Sequence, residues 1–205
     1  MLLVQLFPDA VSLNTGAAAL WQHPQVRTEL GEMFALLLTR IEHVPIALTV
    51  LPDVPLTVHA RYSRSEILAA AGSDDSVKVR PWREGALNDP DLKADFFVFT
   101  LDKTSGQFSP TTRYRDYAIS PELIHWESQS TTTAKSPTGQ RYQSHVATGN
   151  HILLFARLST EDRAFAFLGP ATYVNHVGEL PMAITWRLQH PLPGDLFQRF
   201  AAAVA

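Results

Sequence analysis

The chain has 205 residues, of which 45% are hydrophobic and 18% charged. This suits one folded domain with a modest extension and excludes wholesale disorder. Its 17 Lys and Arg stand against 20 Asp and Glu, a net charge of −3, so any grip on nucleic acid needs a local patch rather than bulk charge. Cysteine is absent, which rules out disulfides, cysteine nucleophiles, iron–sulfur clusters and thiolate zinc sites and suits a reducing cytoplasm.

No apolar run approaches the roughly 18 residues of a membrane span. The opening MLLVQLFPDAVSLN lacks the basic start of a signal peptide. A cytoplasmic chain without membrane contact is expected.

The first clear element is a helix from about Pro24 to Ile41. Proline fits its first turn, and Leu30, Met33, Phe34, Leu37, Leu38 and Ile41 share one stripe. Residues 1–60 hold two basic and five acidic side chains and read as a scaffold or docking prefix. Leu51 to Leu56 is extended. Ser63-Arg64-Ser65-Glu66 is a capping box opening a second helix that Gly72 can close.

Beyond Gly72 the pattern turns to short strands. Val77 to Trp82 alternates like an edge strand. Phe96–Leu101, Ile152–Leu158, Phe165–Leu168, Ala171–Val174 and Ala183–Leu188 are rich in aromatic and β-branched residues, with Tyr114–Ile119 and Ile124–Gln129 as two further candidates. Ser105-Gly106, Ser109-Pro110, Ser120-Pro121, Gly169-Pro170 and Gly178 separate them as turns. A short helix from Asp195 to Val204 ends the chain. Helices first and strands after predict an α+β fold, with a mostly antiparallel curved sheet or a β-barrel behind an N-terminal helical prefix. The prefix spans 1–50 and the β-rich domain 51–205.

The phosphate loop, dinucleotide fingerprint, HExxH and serine elbow are all missing. The densest chemistry runs from Ser109 to Gln129, where Arg113, Tyr114, Arg115, Asp116 and Tyr117 are followed by His125, Trp126, Glu127 and Gln129. From Lys103 to His145 there are five Lys or Arg and three Asp or Glu, a local positive excess in an acidic chain. Rings interleaved with arginines suit stacking on bases while the cations meet phosphates. The same residues also suit a strand pair with large core side chains. The polar stretch Ser130 to Gln140 reads as a loop, either solvated or reaching a phosphate backbone through Lys135 and its hydroxyls. Arg61 and Arg64 suit either a phosphate contact or a structural ion pair. His125, His145 and His151, with Asp116 or Glu127, offer metal-ligand chemistry at no standard spacing.

Several motifs carry a resemblance. Asp53-Val-Pro-Leu and His59-Ala-Arg-Tyr-Ser-Arg are followed by Phe108-Ser-Pro-Thr-Thr-Arg-Tyr-Arg-Asp-Tyr-Ala-Ile-Ser, His125-Trp-Glu-Ser-Gln, Ile152-Leu-Leu-Phe-Ala-Arg, Phe167-Leu-Gly-Pro and Pro181-Met-Ala-Ile-Thr-Trp. Across residues 50–200 the chain resembles the C-terminal domain that follows phospholipase-D-like nuclease and superfamily-2 helicase modules in bacterial proteins. The helical prefix resembles the joining segment. Some members resemble ATP-dependent restriction enzymes that cut DNA carrying methylated or hydroxymethylated cytosine. The resemblance implies a reader of the modified base, with a SET-and-RING-associated (SRA/PUA-like) barrel.

The expected function is therefore DNA binding at a modified cytosine flipped from double-stranded DNA, within a restriction or defence system and with helicase and nuclease modules as partners. No catalysis, cofactor or metal is assigned to this chain. Tyr114, Tyr117 and Trp126 would supply rings, Asp116 or Glu127 would accept from the exocyclic amine, and Gln129 would meet the ring edge. Arg113, Arg115, Lys135, Arg141 and Arg64 would meet phosphates. The alternatives are a metal-assisted hydrolase using His125, Glu127 and Asp116, and a protein-docking domain.

Overall fold

The computed structural model describes residues 3, 6, 7, 9, 10, 12–40, 44, 46–72, 82, 85–101 and 116–202. Two helices come first, α1 (Leu13–Gln22) and α2 (Pro24–Leu38), with Pro24 at the first position of α2. They meet around Trp21, whose ring lies 4.8 Å beneath the Arg27 guanidinium. No residue of α2 is buried, so its apolar stripe covers little of the body.

A small hairpin pairs β1 (Ile46–Ala47) with β2 (Thr57–Val58). After β3 (Arg61–Tyr62) comes α3 (Arg64–Ala70), with the expected capping box formed in full. Ser63 Oγ accepts from the Glu66 N–H, and the Glu66 carboxylate accepts from the Ser63 N–H at 2.7 Å.

The main sheet contains β4 (Ala86–Asp89), β5 (Ala94–Thr100), β6 (Tyr117–Ala118), β7 (Leu123–Glu127), β8 (His151–Arg157), β9 (Phe165–Val177) and β10 (Ala183–Leu188). Their order is β4-β5-β8-β9-β10-β7-β6, and β3 adds to β9. Only the β5–β8 pair is parallel among these ladders; the others are antiparallel. The α+β reading with a mostly antiparallel sheet and N-terminal helices therefore holds. Among the described residues the path runs from β4 to β6 without closing, so the barrel alternative does not. The expected strand at Val77–Trp82 falls almost wholly outside the described residues.

Two expected boundaries change. Phe165–Leu168 and Ala171–Val174 are one strand, because Gly169-Pro170 makes a bend within β9 rather than a turn. Gly169 sits at φ +96°, and an added Cβ would stand 3.0 Å from Val58 Cγ1, so the position needs glycine both for its backbone and for the close approach of β2. The second change is α4 (Pro137–Thr148), a helix where a polar loop is expected. Ser136 caps it by accepting from the Gly139 N–H at 3.1 Å. The C-terminal helix α5 (Gly194–Ala202) is present as expected.

The sheet is covered unequally, and this positions the site. On one face, α4 and α5 pack over a core that includes Phe97, Ile124, Trp126, Leu154, Trp186 and Phe200. On the other, the segment from β1 through α3 packs over Phe96, Val98, Leu153, Phe155, Phe165 and Phe167. All seven residues of β5 are consequently buried. In β7 burial alternates, with Ile124 and Trp126 inside and Leu123, His125 and Glu127 partly open. Among the described residues the second layer thus covers the β5–β8 half and stops short of β10, β7 and β6. No helix among the described residues is long and apolar enough to cross a membrane.

Candidate functional site

The open part of the second face is built by strand register. Tyr117 pairs with His125, His125 with Thr185, and Thr185 with Asn175, forming one row across β6, β7, β10 and β9. Glu127, Ala183 and Val177 form the next row on one side, and Leu123, Arg187 and Thr172 the row on the other. The rings of Tyr117 and His125 stack with centroids 4.6 Å apart and planes 12° from parallel. The face thus presents an aromatic pair, a cation, a carboxylate and neutral hydrogen-bonding side chains, with no covering helix among the described residues. Such a combination can stack on a planar group and bond its edge.

The expected base pocket does not assemble as one unit. Tyr114, with Arg113 and Arg115, lies outside the described residues. Tyr117 and Glu127 reach the open face. Asp116 is 4% exposed and its carboxylate accepts from the Glu127 N–H at 2.9 Å, pinning the start of β6 to the end of β7. Gln129, just past β7, is half-buried. Trp126 is a correction: it is 4% exposed and stacks on Phe97 at 4.2 Å with planes 4° apart. Strand alternation turns it, with Ile124, toward α4 and away from the face that carries His125.

The expected phosphate contacts divide similarly. Lys135 is exposed, one position before the Ser136 cap. Arg141 is a correction, because its Nε and Nη2 each donate to a carboxylate oxygen of Asp95 at 2.9 Å. Asp95 is 1% exposed, and these bonds raise the Arg141 pKa despite its partial burial. Arg64 is also withdrawn from solvent, its guanidinium 5.6 Å from the Phe165 ring centroid and 6.0 Å from that of Trp82. Burial lowers its pKa.

Residues 56–200 match the family model described as a domain of unknown function, DUF3427. The chain belongs to the DUF3427 family. No curated protein matches it. The DUF3427 match takes in β2 through β10 and the whole open face, and leaves α1 and α2 outside. Leu48 and Val54, before its start, are nevertheless buried in the second core.

Within the DUF3427 domain, Arg187, Thr185 and Asn175 join the face although the expected site omits them. The signal for Thr185 and Arg187 is the alternation in Ala183-Ile-Thr-Trp-Arg-Leu, which puts Ile184, Trp186 and Leu188 inside and leaves those two on the other side, and Asn175 joins them by pairing with Thr185. Of the three clustered histidines, His125 separates from the other two, and His145 and His151 line one cavity. His125 is on the open face, whereas His145 is buried on the inner side of α4, its Nδ1 3.0 Å from the Asn150 carbonyl oxygen and its Nε2 accepting from the Tyr173 N–H at 3.1 Å. Among the described residues no group of three His, Asp or Glu is placed to hold a metal ion.

Proposed function

We propose that this chain is a DNA-binding module that reads a modified base, a 5-substituted cytosine, on the open face of its sheet. The observation that carries this is the stacked Tyr117–His125 pair, held by strand register where the second layer ends. Flipping a base out of a duplex costs a few kcal/mol. Stacking on an aromatic side chain returns roughly 1–3 kcal/mol per base, so the ring pair is large enough to decide the balance. Glu127 lies two positions from His125 on the same strand face, roughly 7 Å along the backbone, a spacing that suits acceptance from the exocyclic amine of a base on the rings. Arg187 on the face and the exposed Lys135 before α4 serve as phosphate contacts. An extra buried methyl is worth roughly 1 kcal/mol, so preference for the modified base is modest.

On this reading the domain is the target-recognition part of a restriction or defence assembly, acting on double-stranded DNA with helicase and nuclease modules. The motifs that resemble the C-terminal domains of such proteins support that role, and no reaction is assigned to this chain. The test is binding to matched duplexes carrying cytosine, methylcytosine or hydroxymethylcytosine at stated salt, for the natural chain and for Tyr117→Ala and His125→Ala. Binding to the modified duplexes weaker by roughly 5- to 100-fold, with the modified-base preference lost and little change in melting temperature, is expected. Equal binding of the three duplexes by the natural chain would overturn base reading. Unchanged binding by both variants would overturn the site.

A further inference from the structure

A second concavity lies away from the open face, where α2 and α5 approach the β3–β8–β9 end of the sheet. Its volume is about 600 Å3, within the roughly 300–1,000 Å3 of small-molecule sites. Its apolar wall includes Ala156, Leu158, Ala166, Leu196 and Phe200, and its charged lining is Arg40, Arg61, Arg157 and Arg199 against Asp162 and Asp195. Four arginines and two aspartates line one cavity, in a chain whose net charge is negative.

Two of the arginines are held in place. Arg157 donates from Nε to Thr100 Oγ1 at 3.0 Å and from Nη1 to the Asp162 carbonyl at 2.7 Å, with its guanidinium 4.6 Å from the Phe165 ring centroid. Arg61 donates from Nη2 to the Asp162 carboxylate at 3.3 Å and remains half exposed. These bonds leave further guanidinium N–H groups available on each. Arg40 and Arg199 enter no ion pair among the described residues. Burial and the neighbouring Arg64 both push the Arg157 pKa below its ordinary value, with Asp162 opposing. A bound anion would relieve that concentration of positive charge.

We infer that this cavity binds a phosphate monoester whose body is of mononucleotide size. The phosphate meets the guanidiniums of Arg61, Arg157 and Arg199, whose forked donors match its oxygens. The body lies against Leu158, Leu196 and Phe200. This site is separate from the Tyr117–His125 face and does not depend on the DNA reading.

Calorimetry on the full chain tests the inference with cytidine 5′-monophosphate, adenosine 5′-monophosphate, cytidine and inorganic phosphate as probes. At least one monophosphate is expected to bind at least tenfold more tightly than cytidine or phosphate alone. Arg61→Gln and Arg199→Gln, both exposed positions, should each weaken it about tenfold with melting temperature nearly unchanged. Tyr117→Ala should leave it intact, so failure here and failure of the DNA reading are distinguishable. The terminal nucleotide of a DNA strand has the same chemistry. Displacement of the bound monophosphate by a 5′-phosphorylated oligonucleotide, but not by its unphosphorylated form, would assign that source to the same site. Binding of phosphate as tight as the monophosphates, failure of both monophosphates to bind, or indifference to both arginine variants would overturn the inference.

Discussion

Arg141 on α4 holds Asp95 on β5 by a two-point fork, both bonds 2.9 Å long. Asn150, just after the helix, adds a third bond to the same carboxylate at 2.9 Å. The fork ties a helix that the polar sequence conceals to a central strand. Arg141→Ala would leave a 1% exposed carboxylate with one neutral donor in place of a cation. Removing one member of a buried pair costs about 3–5 kcal/mol, and the partial exposure of Arg141 puts the expected loss at the low end. Arg141→Lys should recover only part, because an ammonium cannot reproduce the fork. Urea unfolding midpoints measure both, and a change below about 0.5 kcal/mol for the alanine variant would contradict the structural role.

Trp126 offers a second separation of core from surface. Its ring packs on Phe97 and lies 5.9 Å from Tyr142 and 6.5 Å from Trp186. Trp126→Ala should cost about 3–5 kcal/mol of stability, whereas Tyr117→Ala should cost less than about 1.5 kcal/mol, the upper value of an aromatic pair. Thermal unfolding of the two variants side by side checks this ordering.

His145 makes stability depend on pH. Its Nδ1–H donates to the Asn150 carbonyl and its Nε2 accepts from the Tyr173 N–H, which fits only the neutral ring. Burial is the largest influence and lowers its pKa, and nearby His151 adds to the effect. The unfolded chain therefore takes up this proton at a higher pH, near 6.5. Stability from this group is fully present above about pH 6.5 and is lost as pH falls from there toward the lower folded pKa. Unfolding midpoints at pH 7.5 and 5.5 should differ less in His145→Gln than in the natural chain.

Gly139 stands at the third position of α4, where alanine would ordinarily gain about 1 kcal/mol of helix propensity. Here an added Cβ would overlap the Thr133 carbonyl oxygen. That carbonyl also accepts from Ser136 Oγ at 2.7 Å, so it cannot withdraw without disturbing the cap. Steric overlap should outweigh propensity, and Gly139→Ala should destabilise the domain by about 1–3 kcal/mol. A raised melting temperature would refute this.

Legibility from sequence followed the range of the forces involved. The Ser63–Glu66 capping box is satisfied within four residues and forms as expected. Strand β10 keeps its expected bounds because its large apolar residues alternate with smaller or polar ones. The α4 helix is hidden because few of its residues are apolar and only Gly139, Tyr142 and His145 are buried. Its signals were the Ser136-Pro137 start and Gly149 at its end. Within the site, alternation alone separates Ile124 and Trp126 from His125 and Glu127, yet it does not say which side faces water.

By itself, therefore, the sequence determined the local elements that their own residues satisfy, and the α+β order of helices before strands. The tertiary structure decided the rest: that the sheet stays open, that Phe97 and Tyr142 claim Trp126 for the core, that Asp95 claims Arg141, and that among the described residues the second layer ends before Tyr117 and His125. These outcomes depend on partners tens of residues away. A side chain's solvent exposure is a property of what packs over it, and local spacing carries no record of that.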